Sequence, residues 1–431
     1  MLDLIVIGAG LTGLMAAYIA AKQGLKVKII AKGLGALHWS AGTIDVLGCY
    51  PDEHVMVKYL RDNLQALIET QPHHPYALLG EARVTGAVQG FWALSEESEL
   101  PYAGPPRSGE NLWLPSPVGA LRPTCLAPQA QLAGDLIYRP EPMLVVGFRG
   151  MRDFFPDLIV ENLGKQGHRA RAMFLPLELI TDRRDSNTAQ LADGLDDPTR
   201  RSKLAAELKK LVQPGERIGL PAILGMAEHA AVMKEAQATT DAAVFEIPTL
   251  PPSVPGIRLN NTLRRKVERM GVRVEVNMEV SGFHAEDGHI AWVETKTSAR
   301  PLKHRADKFL LATGGILGGG INTDHKGHAW EVVFNLPLAM PQERGEWFRQ
   351  RFFDSAGHPI FRSGVPVNRQ LQPVDASGAL VYANLWAAGN ILAHADPIRE
   401  RSLEGIAIAT GTVAAQHIVH QTSNDKRDLD V

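Results

Sequence analysis

Gly8, Gly10 and Gly13, in the run Gly8-Ala9-Gly10-Leu11-Thr12-Gly13, are the first residues of this chain whose spacing could do chemistry. A phosphate-bearing ligand needs free backbone N–H groups at a helix start, where the helix dipole also favours negative charge. In this spacing Gly8 permits the tight turn, Gly10 lets the backbone approach a phosphate, and Gly13 lets helix and strand pack closely. Leu11 and Thr12 belong to the same turn. Glycines also serve ordinary turns; the placement after a strand and before a helix is what selects a dinucleotide phosphate site. One part is missing. The acidic residue about 20 positions on, which binds ribose hydroxyls, is absent, because the next strand ends in Ala31-Lys32-Gly33. Lys32 could meet a terminal phosphate, as FMN carries, or be a solvated surface lysine.

Two later segments point from dinucleotide to flavin. Ala312-Thr313-Gly314-Gly315 follows an apolar strand and has the form of a second chain crossing near a flavin phosphate. Leu385-Trp386-Ala387-Ala388-Gly389-Asn390 is a last strand ending in glycine. Gly405, Ile406 and Ala407 then open a helix whose N–H groups could stabilise the anionic edge of a reduced flavin. Each segment alone could be packing; the order of the three supports a cofactor. His38, Ser40, Gly42 and Thr43 lie where the loop after the second strand should pass the ring. There they either bond the flavin, with His38 moving a proton, or satisfy loop backbone groups. Arg258, after a Pro/Gly turn, could bind a phosphate or carboxylate bidentately or be a solvated first-turn residue. Arg399 and Arg401 could bind a small anionic substrate, pair with Glu400 and Glu404, or meet a partner. His73-His74, before Pro75, reads as a turn, and no metal site is expected.

The elements that must position these residues follow from hydrophobic periodicity. Residues 4–7 and 27–30 are buried strands flanking an Ala-rich helix from Leu14 to Gln23. The Pro- and Gly-dense stretch 51–142 predicts loops and short strands. A second α/β unit begins at Met143–Gly147, with a helix over 153–165 and a strand over 169–174. Thr181 to Arg201 predicts an exposed loop, and Leu204 to Leu211 a helix. A helix over 258–270, a strand over 272–276, hairpins over 280–307 turning at Asp287-Gly288 and a helix over 405–420 complete the pattern. The fold class is α/β: a Rossmann-like two-dinucleotide-fold flavoprotein with an inserted second α/β domain. Its segments are 1–50 and 251–420 for the flavin, 51–250 inserted and facing substrate or partner, and 421–431 a flexible tail.

The bulk composition sets limits. Lys and Arg total 45 against 47 Asp and Glu, so nothing steers the chain to nucleic acid. Cys49 and Cys125 are the two cysteines, too few for a disulfide framework or for the four thiolates of an iron–sulfur cluster. This suits a reducing, cytoplasmic compartment. The N-terminus lacks the positive region of a signal peptide, and apolar stretches stop short of a membrane span.

Longer motifs carry a resemblance. Gly35-Ala36-Leu37-His38-Trp39-Ser40-Ala41-Gly42-Thr43-Ile44-Asp45-Val46-Leu47 resembles the loop after the second strand in the B subunit of anaerobic glycerol-3-phosphate dehydrogenase. His74-Pro75-Tyr76-Ala77-Leu78-Leu79-Gly80, Ile247 to Leu259, and Asp396-Pro397-Ile398 resemble that family too, so the match spreads over the chain except about 180–245. The resemblance implies an FMN flavoprotein, with FAD the alternative, oxidising sn-glycerol 3-phosphate to dihydroxyacetone phosphate and passing electrons to a quinone. It also implies two partners: a catalytic A subunit, and an iron–sulfur, membrane-anchoring C subunit that would bring this chain to the inner membrane. The family's glycine-rich stretch after Asp-Pro-Ile is replaced here by Arg399-Glu400-Arg401-Ser402-Leu403-Glu404. Two rival readings are a self-sufficient flavin oxidoreductase for another small anion and a non-catalytic assembly protein that kept the fold.

Overall fold

The computed structural model describes residues 2–51, 55–183, 185–296 and 300–429. Its first strand, Leu2–Ile7, lies at the centre of a five-stranded sheet, which is why it needs no polar face. Leu4, Ile5 and Val6 are wholly buried. Val27–Ile30 and Ala306–Leu311 flank it, with Arg273–Glu275 and Leu385–Ala387 at the edges. Every pairing is parallel. The C-terminal ends of all five strands therefore share one edge of the sheet. That edge gathers Gly8, Lys32, the segment after Glu275, Thr313 and Gly389 from distant parts of the sequence.

Helix Leu11–Lys22 and the closing helix Leu403–Leu429 pack along each other. Gly411 permits the close approach, since a Cβ there would lie 2.7 Å from the Thr12 carbonyl. A second sheet, order Ala170–Pro176, Met143–Arg149, Arg217–Pro221, Val244–Ile247, is also parallel and has its own apolar core. The two strands at 217–221 and 244–247 carry no motif and went unread in the sequence. The antiparallel strands Val280–Glu286 and His289–Thr295 turn at Asp287 and Gly288, both at positive φ, as a two-residue hairpin demands.

Three expectations are corrected. Within 51–142 the chain forms helices Leu60–Thr70, Pro75–Leu79 and Glu81–Glu96. The prolines cluster after residue 100, while Leu60, Leu64 and Leu67 recur at helical spacing and are buried. The polar stretch 181–201 holds a helix, Thr188–Leu195, opened by a capping box between Asn187 and Gln190. Asp197 then caps Pro198–Leu211. Short polar side chains there are helix starts, not a loop. The closing helix does not end at about 420 but runs on to Leu429, with Lys308 paired to Asp425; Asp430 and Val431 lie outside the described residues.

Candidate functional site

A cavity of about 600 Å³ opens at the shared strand edge, within the roughly 300–1,000 Å³ usual for cofactor sites. Gly8, Gly10, Leu11 and Thr12 form one wall. Lys32, Ser40, Thr313, Gly314, Asn390 and Ala407 also line it, so the structure brings the three expected glycine segments together.

The opening glycines have different reasons. Gly8 sits at φ 121°, and a Cβ there would lie 2.2 Å from the Ala312 carbonyl. At Gly13 a Cβ would lie 2.0 Å from the Gly8 carbonyl. Both are required by packing. Gly10 is not: its φ is −76° and a Cβ would meet nothing within 4 Å. It is the N-cap of helix Leu11–Lys22, with no side chain capping the helix, so first-turn N–H groups await an acceptor. Two buried polar atoms of the lining, Thr313 Oγ1 and Asn390 Oδ1, also lack any partner. A cradle with spare donors, an open Gly10 and orphaned polar atoms fits an anionic, hydrogen-bonding ligand such as a flavin nucleotide.

Other expected binding residues brace the cavity from behind. A Cβ at Gly315 would lie 2.4 Å from the Asn390 carbonyl, and one at Gly389 2.2 Å from Thr12 Oγ1. Gly42, at φ 77°, packs on Pro255. Thr43 is buried, donating to Asp45 at 2.9 Å and accepting from Arg122 at 2.7 Å. The Gly405 N–H donates to the Asp45 carbonyl at 3.0 Å and that of Ile406 to the Ser402 carbonyl at 2.8 Å. Those two amides are therefore spent inside the protein, a correction to the expectation that they face a cofactor; Leu403, Glu404 and Ala407 face the cavity instead.

The four candidate catalytic residues do not line the cavity. His38 is half-buried in the loop between Leu37 and Ser40, with Nε2 unpartnered and its pKa lowered by burial. Arg258 is buried, gripping Glu246 at 2.7 and 3.0 Å and the Gly225 carbonyl at 2.8 Å. Arg399 donates to the carbonyls of Asp354 and Pro51 at 3.0 and 2.6 Å. Arg401 approaches Asp45 at 3.7 Å and packs on Gly48. These three arginines tie the protein to itself, so their geometry does not support the expected capture of a substrate anion. Nor do Arg399 and Arg401 pair with Glu400 or Glu404. Glu400 instead meets His74 at 3.1 Å, both wholly buried, and His74 caps helix Pro75–Leu79.

Sequence reasoning missed two carboxylates. Glu404 lines the cavity and accepts from the Ser40 hydroxyl at 2.8 Å. Burial, then the nearby Asp45, push its carboxyl up to about 7. In the sequence it is one of four charges in the replaced stretch 399–404, and nothing there sets it apart. Glu279 lines the other end, paired with Lys32 at 2.8 Å. The missing acid after the second strand marks a gap in the sequence, and only the sheet order shows which neighbouring segment faces it.

The sequence has relatives among known proteins. The sequence model of the family described as FAD binding domain matches residues 3–406. The B subunit of anaerobic glycerol-3-phosphate dehydrogenase from Yersinia pestis is 30% identical, over 97% of this chain and 98% of that protein. The chain belongs to that family. The corresponding B subunit of Vibrio cholerae is 29% identical over 99% of this chain and 98% of its own length. Among solved structures, 3-ketosteroid Δ1-dehydrogenase of Sterolibacterium denitrificans is 11% identical, covering 97% of this chain and 99% of that one with a TM-score of 0.45, too distant to bear on function. The family match supports a flavin, and among flavins FAD; it does not support the FMN implied by the sequence resemblance.

Proposed function

We propose that this chain is the flavin-carrying subunit of an anaerobic sn-glycerol-3-phosphate:quinone dehydrogenase complex, with FAD as its cofactor. Residues 1–50 and 251–420 would hold the cofactor, and 51–250 would face substrate or partner. Two further subunits, one catalytic and one iron–sulfur, complete the proposed complex and give the chain its place at the membrane. Gly10 carries the reading: nothing in the protein forbids a side chain there, so the empty space at the helix start is room for a ligand's phosphate. The relatives named for glycerol-3-phosphate oxidation support the substrate class.

Bound, a flavin supplies a two-electron acceptor for turning the alcohol carbon of glycerol 3-phosphate into a ketone. The chain's own residues do the rest. First-turn amides at Gly10 to Thr12 receive phosphate charge, and Thr313 Oγ1 and Asn390 Oδ1 offer hydrogen-bonding atoms that have no other use. Glu404, held by Ser40, has its carboxyl pushed up to about 7, so it can hold or release a proton near neutral pH.

Purified protein should be yellow, and acid or heat should release a flavin whose mass is that of FAD. Gly10→Val should give a folded, colourless protein, because a branched side chain fills the phosphate's place. Circular dichroism checks the fold and visible absorbance the flavin. Normal flavin content in a folded Gly10→Val protein would remove this site from the reading. Colour that stays with the denatured polypeptide would mean a covalent bond instead.

A further inference from the structure

A dinucleotide cofactor presents two neighbouring ribose hydroxyls on its adenosine half, and a carboxylate is the acceptor that suits such a diol. The usual place for that carboxylate is the end of the second strand, where this chain has Ala31-Lys32-Gly33. The sheet order offers a substitute. Arg273–Glu275 lies beside Val27–Ile30 and runs parallel to it, so the segments leaving both strands emerge at one place. The segment leaving Glu275 is Val276-Asn277-Met278-Glu279. It is stapled to the end of the second strand, because the Met278 N–H donates to the Ala31 carbonyl at 2.9 Å. On its far side the Lys296 N–H donates to the Glu279 carbonyl. Met278, Glu279 and Val280 all line the cavity, beside Ala31 and Lys32.

Lys32 holds Glu279 Oε1 at 2.8 Å. That contact orients the carboxylate and leaves Oε2 able to accept. The pair is largely exposed, with side-chain accessibilities of 77% and 49%, so it is weak and yields easily to a ligand.

We propose that Glu279 is the carboxylate that receives the adenosine ribose hydroxyls, supplied by the neighbouring strand in place of the acid missing from the second strand, and that Lys32 positions it. Glu279 thereby sets the preference for FAD over FMN, which has no adenosine half. This inference rests on the cofactor reading above.

The test titrates flavin-free full-length chain with FAD and with FMN, following quenching of flavin fluorescence. Glu279→Gln keeps the shape and removes the charge. It should weaken FAD by about tenfold, the worth of a hydrogen bond to a charged acceptor, and leave FMN within about twofold. Lys32→Met breaks the same ion pair yet keeps the carboxylate, so it should lower the FAD-to-FMN ratio by clearly less than Glu279→Gln does. The inference is overturned if Glu279→Gln weakens both flavins alike, or if Lys32→Met lowers the ratio as much as Glu279→Gln does. It is equally overturned if the unmodified chain binds both flavins with one affinity. Failure of the cofactor reading looks different: the unmodified chain would bind neither.

Discussion

Glu404 shows how one residue of the cavity couples its chemistry to stability. Its carboxyl titrates at about 7 instead of 4.5 because burial and Asp45 disfavour the charge, partly offset by the Ser40 hydrogen bond and by Arg122. Between those two values the folded chain keeps a proton that the unfolded chain has released. The stability this group contributes is therefore present below about pH 4.5 and lost as pH rises through about 7. Glu404→Gln cannot ionise, so it should gain on the unmodified protein as pH rises, by a few degrees of melting temperature at about pH 8 and little at about pH 5. Melting curves of both proteins across that range check this; a constant gap would mean that Glu404 is ionised throughout. At this scale the sequence was legible where a residue type has one geometric use. The opening glycine turn was readable because only glycine suits Gly8 and Gly13. Glu404 and Glu279 were not, because a carboxylate is ordinary anywhere on a surface, and only the fold brings these two to the cavity.

Helix Val254–Arg269 shows how an element transmits that order. Its cap residue Ser253 donates its N–H to the His38 carbonyl at 2.8 Å, and a Cβ at Gly256 would fall 1.7 Å from the Leu37 carbonyl. The helix is thus docked against the loop that forms one wall of the cavity. In its second turn, Arg258 reaches the other way, to Glu246 in the edge strand of the second sheet. Burial pushes Glu246 up, but Arg258 holds it below its ordinary value. Arg258→Met would leave that carboxylate buried and uncompensated, at a cost of about 3–5 kcal/mol. Flavin content per folded molecule should be unchanged, because Arg258 does not line the cavity proposed for the cofactor. Urea unfolding with parallel absorbance measures both; an unshifted midpoint would show that the pair is dispensable. Three strands of the first sheet, Leu2–Ile7, Ala306–Leu311 and Leu385–Ala387, were readable from apolar residues running into a glycine turn. The strands at 217–221 and 244–247 were not, since Arg217 and Glu246 interrupt them with charges that are compensated only in the fold.

For the whole molecule the question is where electrons go after the substrate is oxidised. The 431 residues contain two cysteines, Cys49 and Cys125, fewer than the four thiolates a cluster needs. Among the described residues no helix is long and apolar enough to cross a membrane, and no group of three or more His, Cys, Asp and Glu could hold a metal. On the proposed reading, a quinone dissolved in a bilayer is reached through the iron–sulfur partner. Steady-state turnover of the purified chain with sn-glycerol 3-phosphate should accordingly be far faster with a soluble dye than with a quinone in detergent, and quinone reduction should return only when partner subunits are added. Fast quinone reduction by the lone chain would overturn the subunit reading in favour of a self-sufficient oxidoreductase. No turnover with either acceptor would move substrate oxidation to the partner and leave this chain as a carrier of electrons. Of the four residues that sequence singled out for catalysis, three are arginines committed to the protein's own carboxylates and carbonyls, and the fourth, His38, is not among the cavity's lining residues. Such a cavity is furnished to hold a cofactor more evidently than to seize a phosphate ester, which makes the carrier outcome the one to measure first.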